Sequence, residues 1–343
     1  MNTAIVCFNY LCQNYFFVFR KLYFFIFPFA FLLFPCSPAF TWGFFAHKKI
    51  NQLAVFTLPP EMISFYKAHI DYITNHAPDP DKRRNMNPAE PPRHYLDADH
   101  YGKHPFDSLP HKWKDAMQKF SEDTLNAYGI LPWYVEKMLY RLTEAFKEGN
   151  VDRILYLSAN IGHYIEDAHV PLHTTENYNG QLTNQTGIHG FWESRLPELF
   201  SDNWDFFVGR AQYIDNVNDK IWKILKKSYS EKDSVLNLEA ELTKKFPEDQ
   251  KFSYEKAGNG TKKVYSEGFS SAYNNLLDGM VEQKMRESIF DVGSFWYTAW
   301  VNAGSPDLNK LDSKTTLDSL KTAAEENEKM WKTGKPPKLR EEE

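Results

Sequence analysis

Apolar residues recur at three- and four-residue spacing along most of the chain after Trp42. In the stretch 151–169, for example, one helix face would carry Ile154, Leu155, Leu157, Ile161 and Ile165. This spacing predicts amphipathic helices that bury one face against one another. It is found in segments 45–57, 60–74, 131–147, 151–169, 206–227, 262–284 and 285–302. Because no strand alternation persists for long, we predict an all-α fold, a single compact domain of many helices.

Two stretches interrupt the helical pattern. Residues 76–112 are rich in Pro, His and Asp, and five prolines fall between positions 78 and 92. Proline removes a backbone donor and blocks the preceding turn, so this stretch cannot be one helix. A connection this long inside a compact domain is typical of a functional segment or a disordered one. Residues 174–188 read as a second loop that joins two helices.

The first 41 residues have the pattern of a secretory signal peptide. Arg20 and Lys21 precede an apolar run over 22–34, which is short for a membrane span of about 20 residues. Ala39 and Thr41 provide the small residues at −3 and −1 of a cleavage before Trp42. We therefore predict a secreted or periplasmic mature protein. The alternatives are a retained membrane anchor that includes the apolar residues 4–19, and a lipid anchor on Cys36, which Phe34 and Pro35 disfavour.

The mature chain divides into a helical domain over 42–304 and a C-terminal segment over 305–343. In that segment, 316–331 is amphipathic and predicts a helix, and the charged end predicts a flexible tail. The three cysteines, Cys7, Cys12 and Cys36, all lie in the leader, so disulfides and thiolate ligands are excluded from the predicted mature protein. The formal net charge of −5 offers no general attraction to a polyanion. Any metal site must use His, Asp, Glu and backbone groups.

The stretch 162-GHYIEDAHVPLH-173 carries the first candidate ligands. His163 and Asp167 are four residues apart and share a helix face, while Pro171 ends that helix before His173. Such a pair alone is more often a hydrogen-bonded surface pair than a metal site. A second pair with the same spacing, His189 and Glu193, follows in 189-HGFWE-193, with Phe191 and Trp192 able to pack behind it. Two such pairs that flank one loop favour a metal site, and imidazole with carboxylate but no sulfur suits catalytic zinc.

The Pro-rich stretch offers further nitrogen and oxygen ligands, namely His94, Asp79, Asp81, Asp97 and Asp99. With these residues included, the order of candidate ligands resembles that of a known group, the three-zinc phosphoesterases. This group comprises the S-one/P-one type single-strand nucleases and the zinc-dependent phospholipases C. The resemblance runs through roughly residues 42–200, and the ordered set is Trp42, His47, Asp81, His94, His163, Asp167, His173, His189 and Glu193.

The resemblance implies three Zn²⁺ ions per chain. One would be held by Asp81, His94, His163 and Asp167. A second would be held by His47, by the other oxygen of Asp167 and by the α-amino nitrogen and carbonyl oxygen of Trp42 as the mature N-terminus. The third would take His173, His189 and Glu193. The last two ions are short of protein ligands, so water or a substrate oxygen would complete them, as at catalytic zinc sites.

Local offsets separate the nucleases from the lipases. The five-residue step from Trp42 to His47 resembles the nucleases, as do an arginine three after Asp81 and an aspartate three after His94. By this resemblance Arg84 would stabilise phosphate charge, Asp97 would orient Arg84, and Tyr95 would stack a base. Only Asp81 has an arginine at +3, which favours it over Asp79 as the ligand. Glutamate at Glu193 instead matches the phospholipases. Alternatives are that Arg84 is a solvated charge beside Arg83 and that Tyr95 is a packing aromatic.

The implied activity is hydrolysis of single-stranded DNA or RNA to 5′-nucleotides by a zinc-activated hydroxide that attacks phosphorus in line. The substrate partner would be single-stranded nucleic acid or a nucleotide, and we expect a monomer without a stable protein partner. One alternative is a phospholipase C that acts on phospholipid headgroups, and another is a non-catalytic zinc-binding envelope protein. The remaining histidines are predicted to be surface or loop groups (His69, His76, His104 and His111) or second-layer candidates (His100 and His169).

Overall fold

The computed structural model describes residues 43–257 and 260–311, and helices dominate this part of the chain. The prediction of an all-α fold is confirmed. Trp42, the signal peptide assigned to 1–41 and the helix expected over 316–331 lie outside the described residues. The proposed domain boundaries therefore stay predictions.

The described helices run in order along the chain, with one hairpin near the end. They are α1 Phe44–Ala54, α2 Pro60–Ala68, α3 Ile70–Asn75, α4 Asp79–Arg84, α5 Pro105–Ser108, α6 Trp113–Phe120, α7 Glu122–Tyr128, α8 Leu131–Glu148, α9 Val151–His169, α10 Ile188–Gly190, α11 Leu196–Phe200, α12 Val217–Lys245, α13 Glu267–Leu276 and α14 Met280–Asn302. The hairpin pairs β1 Phe252–Ala257 with β2 Gly260–Tyr265 in antiparallel register. A π-helical segment, Phe191–Arg195, joins α10 to α11. Short 3-10 turns include Val55–Thr57, Pro91–Arg93, Ala98–Tyr101 and Pro171–Thr174.

Helix α9 lies at the centre of the fold. Every residue from 157 to 170 is buried, and the helix packs against α1, α8, α12 and α14. A helix that is buried on all sides belongs to the interior of a bundle rather than to its surface. The polar residues His163 and Asp167 therefore do not form a solvated helix face.

The ends of α9 follow from local sequence. Gly149 adopts a left-handed conformation, with φ of 64°, and ends α8. The next residue, Asn150, caps α9 by accepting a hydrogen bond from the backbone N–H of Arg153 at 3.0 Å. At the other end, Val170 is extended because a residue before proline is disfavoured in the helical region, and Pro171 begins a new 3-10 turn.

Helices α1 and α9 approach each other most closely at Gly162. A Cβ atom at this position would lie 2.0 Å from Oδ1 of Asn51, so only glycine fits. The Asn51 amide donates to the carbonyl oxygen of Ala159 at 3.1 Å, which fixes the two helices in register. On the other side of α9, Trp296 of α14 donates to the carbonyl oxygen of Ser158 at 3.0 Å.

Two predicted helices are wrong. The segment 206–227 is non-helical until Asn216, whose side chain caps α12 through the N–H of Asp219, and α12 then continues to Lys245. The segment 262–284 begins as strand β2, starts α13 after the cap Ser266, and breaks at Gly279, where φ is 77°. Each strand of the hairpin is only six residues long and largely exposed, so its apolar alternation is weak.

The prediction that residues 76–112 are not one helix is confirmed, since only short helices and 3-10 turns interrupt this stretch. Four of its prolines, Pro80, Pro91, Pro92 and Pro105, sit at the starts of those elements, where the missing N–H costs nothing. Within the described residues, no helix is both long and apolar enough to cross a membrane.

Candidate metal centre

Several elements bring the predicted ligands to the interior of the fold. Asp81 on α4 is 8% exposed, and each of the other described ligands is at most 1% exposed. They come from α1 (His47), α4 (Asp81), the end of the turn Pro91–Arg93 (His94), α9 (His163 and Asp167), the turn Pro171–Thr174 (His173), α10 (His189) and the π-helical segment (Glu193). Trp42 is outside the described residues.

Five of these residues form what we call the five-residue cluster: His47, Asp81, His94, His163 and Asp167. It contains two sets of three whose candidate ligand atoms all lie within 4.8 Å of one another. One set is His47, His163 and Asp167, and the other is Asp81, His94 and His163. Both sets include His163, so the candidate ligands of this cluster lie close together around one histidine.

Asp167 lies at the centre of this cluster, and its two oxygens face different neighbours. Oδ2 lies 2.9 Å from Nδ1 of His94 and 3.3 Å from Nε2 of His163. Oδ1 lies 3.8 Å from Nε2 of His47 and 4.0 Å from Nε2 of His173. A carboxylate placed this way has the geometry of a bridge between two metal ions.

Asp81 rather than Asp79 belongs to the cluster. Oδ1 of Asp81 lies 3.5 Å from Nε2 of His163 and 3.6 Å from Nδ1 of His94. Asp79 instead accepts hydrogen bonds from His76 at 2.6 Å and from Lys82 at 2.9 Å. Both aspartates lie on the short helix α4, so their different contacts follow from their different positions around the helix turn.

The remaining three residues form what we call the three-residue cluster: His173, His189 and Glu193. Nδ1 of His173 lies 2.6 Å from the carbonyl oxygen of His94, and Nδ1 of His189 lies 3.0 Å from that of Tyr178. A carbonyl only accepts, so both Nδ1 atoms carry hydrogen, and in a neutral ring Nε2 then has a lone pair. These Nε2 atoms lie 3.4 and 3.1 Å from Oε2 of Glu193.

Three electron-pair donors thus converge in the three-residue cluster. Both carboxylate oxygens of Glu193 are buried and accept no hydrogen bond from the described residues. Such an arrangement is repulsive unless a cation lies between the donors. Two imidazoles and a carboxylate are a usual ligand set for zinc, so the residues fit this ion.

The charged groups of the five-residue cluster shift one another strongly. Burial alone would lower the pKa of His163, but Asp167 and Asp81 raise it well above its ordinary value. Burial alone would raise the pKa of Asp167, but His163 and His173 hold it well below its usual range. Burial and the nearby His163 lower the pKa of His47 to about 3, so this ring is neutral and able to bind metal at neutral pH.

A buried carboxylate that the sequence analysis did not assign lies behind His47. Glu166 of α9 accepts a hydrogen bond from Nδ1 of His47, and neither residue is exposed. Burial, with Asp167 and Asp81 nearby, raises the pKa of Glu166 well above its ordinary value despite the opposing effect of His163. Glu90 lies behind His94 in a similar way, 3.7 Å from its Nε2, and also accepts hydrogen bonds from Arg93 and Tyr164. The only sequence signal for Glu166 was its place between His163 and Asp167.

Both members of the predicted phosphate-binding pair are buried. Arg84 is 6% exposed, and its Nη1 lies 3.8 Å from Oδ1 of Asp81. The alternative of a solvated arginine is therefore wrong. Asp97 is also 6% exposed, and its backbone N–H donates to the carbonyl oxygen of Tyr128 at 2.8 Å.

Tyr95 does not offer an open ring for base stacking. Its side chain is 6% exposed, and its hydroxyl lies 3.4 Å from the carbonyl oxygen of Ala127. The backbone of Tyr95 also lies against Gly129, where a Cβ atom would come within 2.1 Å of the Tyr95 carbonyl oxygen. This burial favours the alternative that Tyr95 is a packing aromatic.

Two other histidines differ from expectation. His69 was predicted at the surface but is buried, with Nδ1 2.9 Å from the carbonyl oxygen of Phe65. His169 was a candidate to support the ligands, yet its Nε2 lies 3.1 Å from Oδ2 of Asp291 on α14. Two residues along a helix point to nearly opposite sides, so His169 faces away from Asp167.

Comparison with known proteins identifies a family. The family model described as zinc dependent phospholipase C matches residues 46–255, which is more than half of the chain and includes every described candidate ligand. No curated protein matches the chain.

Proposed function

The chain belongs to the zinc-dependent phospholipase C family and is therefore a hydrolase of phosphoester bonds, and from this premise we propose that it is an exported nuclease. The proposed reaction is the hydrolysis of single-stranded DNA or RNA to 5′-nucleotides. The protein would act as a secreted or periplasmic monomer that begins at Trp42.

The proposed ligands divide among three zinc ions. Asp81, His94, His163 and Asp167 would hold the first, and His173, His189 and Glu193 the third. The second would be held by Trp42, His47 and Asp167. This last assignment is supported by the approach of two of its members, since Nε2 of His47 lies 3.8 Å from Oδ1 of Asp167.

The residues around the clusters have separable roles in the proposed reaction. When bound, zinc would supply the Lewis acidity that activates water and neutralises phosphate charge. Asp167 would be a ligand in both of the first two sets. Arg84 would place a guanidinium where negative charge develops on the phosphoryl oxygens, and Asp97 would orient it.

The position of Arg84 is the observation that carries the nuclease proposal. The three-residue offset from Asp81 to Arg84 resembles that of the nucleases. This offset places the buried guanidinium of Arg84 beside the proposed ligand Asp81. A guanidinium is always charged, and its planar set of N–H donors matches the oxygens of a phosphate diester. The burial of Tyr95 removes one argument for base stacking, so the proposal does not depend on that residue.

A phospholipase C is the second candidate. Its specific support is Glu193, since the phospholipases that the chain resembles use glutamate as the last ligand of the third ion. Glutamate and aspartate are both competent zinc ligands, so this residue carries less weight than Arg84.

A substrate panel tests the two candidates. The mature protein, purified with Trp42 as its first residue and loaded with zinc, is assayed on single-stranded DNA, RNA and phosphatidylcholine vesicles. We expect 5′-nucleotides from the nucleic acids and little headgroup release. Headgroup release without nucleotide release would overturn the nuclease proposal in favour of the phospholipase.

A second experiment tests the proposed N-terminus. A protein with extra residues before Trp42 should lose one zinc and most of its activity, because its α-amino group is no longer at the ligand position. The matched control is the same extension removed by a protease that leaves Trp42 first, which should restore both. Full activity and zinc content in the extended protein would contradict the assignment.

A further inference from the structure

Glu166 is a buried carboxylate in a place where a charge is costly. It is fully buried, and its Oε1 accepts no hydrogen bond from the described residues. The adjacent Asp167 and the nearby Asp81 are also acidic. A buried carboxyl group among other acidic residues costs folding free energy unless hydrogen bonds compensate it. Packing alone therefore does not account for glutamate at this position.

The contact that Glu166 makes is with a proposed zinc ligand. Its Oε2 accepts the Nδ1–H of His47, so a neutral His47 presents its Nε2 lone pair on the opposite side of the ring. That Nε2 points toward the carboxylates, at 3.8 Å from both Asp81 and Asp167. The His47 ring also stacks on His163, with centroids 3.9 Å apart. The hydrogen bond to Glu166 and the stacking on His163 together restrict the His47 ring to one orientation.

We propose that Glu166 is a positioning residue that fixes the tautomer and ring orientation of His47 for metal binding. This inference rests on the proposed role of His47 as a zinc ligand. Carboxylates that accept the second N–H of a ligating histidine orient the ring and make it a stronger donor.

A matched pair of buried residues provides the control. Three residues further along the same helix, His169 donates to Asp291, and both residues are at most 2% exposed. Lys220 also binds Asp291, at 2.7 Å. This pair repeats the contact between histidine and carboxylate but lies outside both clusters. Asp291→Asn should therefore weaken the fold without changing zinc retention, whereas Glu166→Ala should hold one zinc ion more weakly.

The experiment measures zinc retention in the mature, zinc-loaded protein. Wild type, Glu166→Gln, Glu166→Ala and Asp291→Asn are dialysed against increasing concentrations of a chelator, and bound zinc is counted by mass spectrometry. In Glu166→Gln we expect one ion to be held about 10- to 100-fold more weakly, with the other ions retained. Glutamine can still accept from Nδ1, so Glu166→Ala should lose that ion more readily. Asp291→Asn should melt at a lower temperature and keep the wild-type retention curve.

A spectroscopic signal tests the hydrogen bond itself. In the zinc-loaded wild type, the Nδ1 proton of His47 should give a downfield resonance that disappears in Glu166→Ala. Glu166→Ala with wild-type zinc retention overturns the proposal, as does zinc release from Asp291→Asn in proportion to its lower melting temperature. If the assignment of His47 as a zinc ligand is wrong, the result differs, because wild type itself would then hold fewer than two zinc ions. Substrate choice does not enter either readout.

Discussion

Gly162 is the position where a single methyl group should disturb both the fold and the metal centre. It lies one residue before His163, at the contact between α9 and the helix α1 that carries His47. In Gly162→Ala the new Cβ would lie 2.0 Å from Oδ1 of Asn51, about 1.4 Å closer than the 3.4 Å at which ordinary contact begins. Asn51 is fully buried, so its side chain has no free space to enter.

The expected cost can be estimated from the parts. Overpacking of a close-packed interior costs about 1–3 kcal/mol. Displacement of Asn51 would also lose its hydrogen bond to Ala159, worth about 1 kcal/mol. The better helix propensity of alanine returns about 1 kcal/mol. We therefore expect a net loss of about 1–3 kcal/mol, and a melting temperature lower by roughly 2–10 °C for a domain of this size.

Gly190→Ala is the matched control. Gly190 also neighbours a proposed ligand, His189, and has helical backbone angles of −63° and −25°. A Cβ atom there would meet nothing within 4 Å. This variant should be stabilised by about 0.5–1 kcal/mol.

Thermal melting and zinc retention measure the two glycine variants together. We expect opposite shifts in melting temperature, and weaker zinc retention only in Gly162→Ala, because His47 would move relative to His163. If the melting temperature of Gly162→Ala equals or exceeds that of Gly190→Ala, the contact between α1 and α9 is not as tight as described, and the reasoning fails.

Three further predictions address single residues. Asp167→Asn should weaken zinc retention by more than about 100-fold, which is more than the loss expected for a residue that only supports a ligand. Asp79→Asn should retain zinc as wild type does. Metal analysis after dialysis measures both variants. Arg84→Ala should lower kcat by about 100- to 1,000-fold with zinc retained, while Arg153→Ala, at an exposed ion pair, should leave kcat unchanged in steady-state assays. Hydrogen bonding and charge from His169 and Lys220 outweigh the effect of burial and lower the pKa of Asp291 in the folded protein. The ionised Asp291 therefore stabilises the fold above about pH 4, and this contribution is lost as the pH falls further. In urea unfolding, the difference in free energy of unfolding between wild type and Asp291→Asn should be smaller at about pH 3 than at about pH 7.

The sequence by itself determined the helical class and the order of the candidate ligands. Spacing of three and four residues is a local property of the chain, so it predicts helices such as α8 and α9 without knowledge of their neighbours. The spacing of His163 from Asp167, and of His189 from Glu193, likewise fixes which side chains share a helix face. Helix boundaries at α12 and α13 were missed because capping by Asn216 and Ser266 depends on single side chains within an apolar pattern that continues past them.

Only the tertiary structure decided which residues meet across the fold. Local spacing cannot show that α1 brings His47 against α9, or that Asp81 rather than Asp79 faces His163, since these contacts join distant parts of the chain. The same holds for Tyr95, which is buried, and for Arg84, which a neighbouring arginine made look like a surface charge. Glu166 is the clearest case: its sequence position beside Asp167 allowed many roles, and the hydrogen bond to His47 from another helix selects one.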